Sequence, residues 1–189
     1  MPTTIQIAYE LPRVVESVRN GWIATCQLAA LMSTIFAVVA TQIFVMSPER
    51  LERFQDKNQS TLTAFLAFGY LAIILNCGTV LTSFLLVDRL GDLTFSSSTA
   101  ESGAPDNGQL IVNSTSHLMQ LYGAGTSWSW MVLQWFISQQ AGVFCLLVQI
   151  TVFIWLHPVS LGVKVITLLA ALFAFLPMLL LLPLKPRSK

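Results

Sequence analysis

The sequence contains few charged residues. Only 10% of its 189 residues are Asp, Glu, Lys or Arg, whereas 54% are hydrophobic. A typical soluble domain is about 25% charged, because water must solvate its surface. The chain therefore cannot be an ordinary soluble globule, and we expect lipid to be the solvent for most of it.

Residues that carry chemistry are also scarce. The three cysteines, Cys26, Cys77 and Cys145, fall inside apolar segments and lack the spacing of a disulfide framework or a zinc site. The two histidines, His117 and His157, have no second ligand four residues away. The sequence has neither a phosphate-binding loop nor a serine nucleophile motif. We therefore expect no catalysis, no metal and no cofactor.

Positive charge is too sparse for nucleic-acid binding. The formal net charge is only +1, and the Lys and Arg residues do not cluster. Neutralising phosphates requires such a cluster. We therefore expect no nucleic-acid partner, and the expected environment is the lipid bilayer.

Long apolar runs are what the sequence does have. A bilayer core of about 30 Å requires roughly 20 mostly apolar residues per helical span. Four segments meet this length, namely 22–46, 62–87, 128–156 and 161–182. The sequence thus predicts an all-α fold, an integral membrane four-helix bundle.

The remaining segments are expected to lie outside the membrane. Residues 1–21 contain an amphipathic stretch, which predicts either a helix at the interface or an inward extension of the first span. A short loop covers residues 47–61, and a basic tail covers residues 183–189. Residues 88–127 include the run FSSSTAESGAPDNG, which has few apolar side chains to bury. We expect this hydrophilic loop to be flexible.

Basic residues indicate the orientation. With four spans, both termini and residues 88–127 share one side, which carries six of the ten Lys and Arg residues. Loops with excess positive charge face the cytosol, so we expect cytosolic termini in a multi-pass protein. The sequence does not distinguish the plasma membrane from an endomembrane. The sequons at Asn58 and Asn113 are interpreted as chance matches, with glycosylation left open.

Polar and small residues recur within three spans at steps of three and four. In the first span they are Gln27, Ala30, Thr34, Ala37 and Thr41; in the second, Ala72, Asn76, Thr79 and Ser83; in the third, Gln134, Ser138, Ala141, Cys145 and Gln149. Small residues allow helices to approach closely in lipid, and polar ones form hydrogen bonds across helices.

We favour a helix-interface role for these rows, and the alternative is that one row lines an aqueous path. If a pore exists, Gln42 is the residue we expect to line it. The fourth span has little polar content and is expected to be the most lipid-exposed.

Two segments resemble a known family. The run YLAIILNCGTVLTSFLLVDRLGDL at 70–93 and the run LYGAGTSWSWMVLQW at 121–135 resemble uncharacterised four-span membrane proteins found widely in fungi. In that family a D-x-LG segment closes the second span and a YGA-x-x-SW-x-W segment opens the third. The resemblance covers most of the chain and implies four spans without implying an activity.

A shorter segment resembles a channel helix. ALMSTIFAVVATQIF at 30–44 is similar to the pore helix of Orai-type calcium channels, whose four-span subunits form rings of first helices. The acidic selectivity residue of that family corresponds to Gln42, and the basic residue of its inner pore corresponds to Gln27. Because Ca²⁺ prefers charged oxygen ligands, this resemblance implies the ring scaffold and not the calcium selectivity.

Two functions remain open at this point. The first is a non-catalytic scaffold or interaction protein, in which the loop at 88–127 and the tails recruit unidentified partners and the bundle self-associates through the polar rows. The second is a subunit of an oligomeric ion channel or transporter in which the first span lines the path.

Overall fold

The computed structural model describes residues 13–46, 59–92 and 127–181, with side chains described as far as residue 176. Within these ranges the chain forms four helices and no strand, which confirms the all-α prediction. The helices are α1 (Arg13–Val45), α2 (Gln59–Gly91), α3 (Trp128–Leu156) and α4 (Leu161–Leu181).

Three of the helices are long and apolar enough to cross a membrane. They are α1, α2 and α3, which contain 33, 33 and 29 residues. Helix α4 contains 21 residues, but its side chains are described only over Leu161–Leu176. This apolar stretch is shorter than the length that a membrane span requires. A fourth membrane span therefore stays a prediction. None of the side chains described in α4 is buried.

Several predicted features lie outside the described residues. They include residues 1–12, most of the loops at 47–61 and 88–127, both sequons and the basic tail at 183–189. The first nine residues of α1, 13–21, belong to the predicted juxtamembrane segment and are helical.

Local sequence explains the connection between α3 and α4. Pro158 lacks a backbone N–H and therefore cannot continue the helix that ends at Leu156. The N–H of Val159 donates to the carbonyl oxygen of His157 at 2.8 Å, which forms a tight turn. The carbonyl oxygen of Ser160 then accepts the N–H groups of Val163 and Lys164, which starts α4.

The described residues pack as two units, and α1, α2 and α3 each contribute to both. Unit 1 contains residues 13–32, 78–92 and 127–137, and unit 2 contains residues 33–46, 59–77 and 138–181. The core of unit 1 consists of Val15, Cys26, Leu86, Leu90, Trp128 and Trp135. The core of unit 2 consists of Ala40, Ala72, Cys145 and Leu146.

Contacts within unit 2 define the helix directions. Ser33 and Ala40 of α1 meet Gln139 and Gln149 of α3, so these two helices run parallel. Gly69 and Asn76 of α2 lie against Gln149 and Gly142 of α3, so α2 runs antiparallel to α3. The ring of Phe144 packs against that of Phe175, and Nζ of Lys164 lies over the ring of Trp155. These two contacts place α4 antiparallel to α3 as well. Unit 2 therefore has an up-down-up-down topology.

Candidate functional site

Asn76 is a buried amide at a close contact between α2 and α3. Its Nδ2 donates to the carbonyl oxygen of Ala72, one turn earlier in α2, at 2.7 Å. A Cβ atom added at Gly142 of α3 would lie 2.9 Å from this Nδ2 and 3.2 Å from Oδ1. Glycine is therefore what allows α3 to approach the Asn76 amide. The Oδ1 atom is buried and has no hydrogen-bond partner.

Gln149 is the second buried amide of unit 2. Its Nε2 donates to the carbonyl oxygen of Ala40 at 3.2 Å and so links α3 to α1. A Cβ atom at Gly69 of α2 would lie 2.6 Å from Nε2 and still closer to the ring of Phe44. The Gln149 side chain therefore occupies space that only a glycine at position 69 leaves open. Its Oε1 atom is buried and unpartnered.

Two hydrogen bonds between described side chains join helices, one in each unit. In unit 2, the hydroxyl of Ser33 donates to Oε1 of Gln139 at 2.7 Å. In unit 1, Nε1 of Trp135 donates to the hydroxyl oxygen of Ser83 at 2.8 Å, and both residues are buried. Hydrogen bonds of this kind between membrane helices contribute about 0.6 kcal/mol on average. They orient helices that the hydrophobic effect alone does not hold together in lipid.

An arginine caps α2 in unit 1. Nε of Arg19, in α1, donates to the carbonyl oxygen of Leu90 at 2.8 Å. The last carbonyl groups of a helix have no partner within the helix, and a cation interacts favourably with its negative end. Beside this contact, the rings of Trp22 and Trp128 meet edge to face with centroids 5.8 Å apart. These residues fasten one end of unit 1.

The structure separates the candidate residues of α2 and α3 into buried and exposed sets. Asn76 and Gln149 are fully buried, Ser138 is half-buried and Gln134 is exposed. On α3 the buried positions include Trp135 and Gly142 rather than Gln134 and Ala141.

The candidate residues of α1 all lie on its exposed surface. Gln27, Thr34, Thr41 and Gln42 are exposed, whereas Cys26, Ser33 and Ala40 are buried. These four polar side chains are therefore exposed among the described residues, and their role as an interface to other helices or as a pore lining stays a prediction. The hydroxyl of Thr41 donates to the carbonyl oxygen of Ala37 in its own helix.

Besides the predicted polar row, α1 has a second exposed row that is mostly apolar, which sequence reasoning missed. We call it the outer seam, and it consists of Leu28, Leu31, Ile35, Val38, Gln42 and Val45. Its apolar members are 48% to 71% exposed. Their spacing alternates between three and four residues, which is the repeat of left-handed helix packing. That spacing is visible in the sequence, but only the structure shows that this face has no contact partner within the described residues.

A metal site was also sought among the described residues. In residues 13–46, 59–92 and 127–181, no group of three or more His, Cys, Asp or Glu side chains is placed to hold a metal ion. The chain matches no protein-family model, and no match was found among the curated proteins or the solved structures.

Proposed function

We propose that this chain is a multi-pass integral membrane protein with cytosolic termini that acts as a non-catalytic interaction protein. In this proposal the outer seam of α1 is the contact surface for other membrane helices. Three membrane-length apolar helices support the membrane location. The same three helices bury the hydrogen-bonding side chains that stabilise each unit, which leaves the outside of α1 for a partner.

The exposed amides of α1 are the observation that carries the proposal. The side-chain amides of Gln27 and Gln42 have no hydrogen-bond partner among the described residues, although both lie in a stretch of α1 without charges. An amide in an apolar environment costs roughly 2–7 kcal/mol without a hydrogen bond. A neighbouring helix that supplies a donor or an acceptor removes part of that cost, so these amides favour association in the plane of the membrane.

Site-specific photo-crosslinking tests this function. A photoreactive residue at Ile35 of the outer seam should give a discrete protein adduct in membranes of cells that express the full chain. The matched control is Ile74 of α2, which is 64% exposed against 48% for Ile35 and is therefore at least as accessible. It should give lipid adducts alone. Protein adducts at both positions, or at neither, would contradict the proposal.

One observation favours a second function, that of a subunit in an oligomeric channel. Gln27, Thr34 and Thr41 follow one another at steps of seven along exposed α1. If several copies placed their α1 helices around one axis, this polar row would face water. Ion flux into vesicles that contain the purified protein tests this alternative. A channel should conduct and change its cation selectivity in Gln42→Glu, whereas the interaction protein should give negligible flux in both forms.

A further inference from the structure

We propose that the outer seam binds a second copy of this chain, forming a parallel pair of α1 helices in which Gln42 pairs with Gln42. This inference rests on the proposed function, since it names the partner of the same surface.

The spacing of the outer seam matches that of two helices packed side by side. Leu28, Ile35 and Gln42 are separated by seven residues, and they occupy the first position of the heptad. Leu31, Val38 and Val45 occupy the fourth position in the same way. Such a 3-4 repeat keeps one stripe facing a partner along the whole contact. The other side of α1 buries Cys26, Ser33 and Ala40 within the chain, so the outer seam is free for a separate helix.

The amide at position 42 favours an identical partner. A carboxamide contains two N–H donors and one carbonyl acceptor, so two such groups are complementary to each other. In a parallel, in-register pair, each heptad position faces the same position of the other helix. Gln42 then meets Gln42, whereas any other register places the amide against an apolar side chain such as Ile35. A single amide in the seam therefore selects both the register and a second copy.

Membrane insertion supplies the orientation. All copies of one chain insert with the same topology, so their α1 helices run parallel without further cost. Gln27, Thr34 and Thr41 each lie one position before a seam residue. They consequently form a polar edge along the contact, where Gln27 can reach a donor or an acceptor of the second copy.

Subunit counting tests the pairing. The full-length protein with a fluorescent tag is reconstituted into large vesicles over a range of protein-to-lipid ratios, and photobleaching steps give the dimer fraction. Wild type should reach a dimeric plateau. Gln42→Leu should weaken dimerisation by about 3- to 20-fold, the loss expected for one interhelical hydrogen bond. Gln42→Asn should retain most of the affinity. Thr63→Val, which removes an exposed hydroxyl that is bonded within α2, should leave it unchanged.

Cysteine crosslinking tests the geometry independently. Cys77 is exposed and is replaced by alanine, whereas Cys26 and Cys145 are buried and can stay. In this background, Val38→Cys should form a disulfide-linked dimer in oxidised membranes, because the fourth heptad position faces its counterpart. Ile74→Cys on α2 is the matched control and should stay monomeric. Equal crosslinking at both positions would contradict a specific α1 contact.

The outcomes separate this inference from the proposed function. A monomer at every protein-to-lipid ratio, or a Gln42→Leu variant that dimerises as tightly as wild type, would overturn the inference. If the chain is monomeric but Ile35 still gives an adduct with another protein, the interaction function stands and the second copy is wrong. If neither a dimer nor an adduct forms, both are wrong. Far-UV circular dichroism checks that each variant keeps the helical content of wild type.

Discussion

Replacing Gly69 with alanine should destabilise the protein much more than the same change at Gly78. Both glycines lie in α2, so helix propensity changes equally at the two positions. Their surroundings differ, because a Cβ at Gly78 would meet nothing within 4 Å, whereas at Gly69 it would overlap the ring of Phe44. The comparison therefore isolates packing from propensity.

The distances at Gly69 set the size of the effect. The added Cβ would lie 2.6 Å from Nε2 of Gln149 and 2.8 Å from Cε2 of Phe44, well inside the 3.4 Å at which ordinary contact begins. The ring of Phe44 also packs edge to face on Phe65, with centroids 5.5 Å apart, and cannot rotate away freely. Overpacking of this kind costs typically about 1–3 kcal/mol.

A hydrogen bond is at risk in the same variant. The bond from Gln149 to the Ala40 carbonyl is already 3.2 Å long, so a shift of the amide by a few tenths of an ångström removes it. Loss of an interhelical hydrogen bond in a membrane costs about 0.6 kcal/mol on average. We therefore expect Gly69→Ala to lose about 2–4 kcal/mol in the free energy of unfolding, the sum of overpacking and the lost bond.

The assay is equilibrium unfolding in mixed detergent micelles, followed by far-UV circular dichroism. Gly78→Ala should have the stability of wild type or slightly more, because alanine is the better helix former. The double variant Gly69→Ala with Phe44→Leu should cost less than the two single variants together, since the smaller side chain makes room for the new methyl group. If Gly69→Ala is as stable as Gly78→Ala, the close contact among α1, α2 and α3 is refuted.

Further substitutions probe the buried contacts between α2 and α3 with the same unfolding assay. Ser83→Ala removes the acceptor of the Trp135 indole and should cost roughly 0.5–1.5 kcal/mol. Trp135→Phe removes the donor and also leaves a cavity in the core of unit 1, so it should cost more. The double variant should lose less than the sum, and strictly additive losses would show that the bond does not form. Gly142→Ala should cost about 1 kcal/mol, less than Gly69→Ala, because it displaces only the Asn76 amide, which a Cβ would approach to 2.9 Å. A larger loss than that of Gly69→Ala would contradict this order.

The lipid environment and the secondary structure follow from local properties of the sequence. Runs of more than 20 residues without charge predict helices, because a backbone in lipid must satisfy its own hydrogen bonds. The third predicted span, 128–156, coincides with α3, since Pro158 marks its end unambiguously. Helices α1 and α2 extend beyond their predicted spans by up to nine residues, because polar residues can continue a helix into water. Helix α4 begins where its span was predicted to begin.

The buried face of α2 was also predictable from the sequence. Ala72, Asn76, Thr79 and Ser83 were expected to form one interface row, and all four are buried. The same row continues to Phe65 and Leu90. On this helix the polar residues coincide with one side of a 3-4 repeat, and the opposite side carries apolar residues that suit lipid. The sequence therefore contains enough contrast to identify the buried face.

On α1 the sequence does not contain that contrast, and the tertiary structure decided which face is buried. The row of Gln27, Thr34 and Thr41 and the row of Cys26, Ser33 and Ala40 have the same spacing and differ by a single position. Periodicity fixes a repeat but not its phase, because either row is compatible with a helix in lipid. The phase depends on the side chains that approach from α2 and α3, such as the Gln149 amide that bonds to Ala40. Composition and repeats thus determined the helices of this protein, whereas contacts between distant residues determined which side of α1 is left open to a partner.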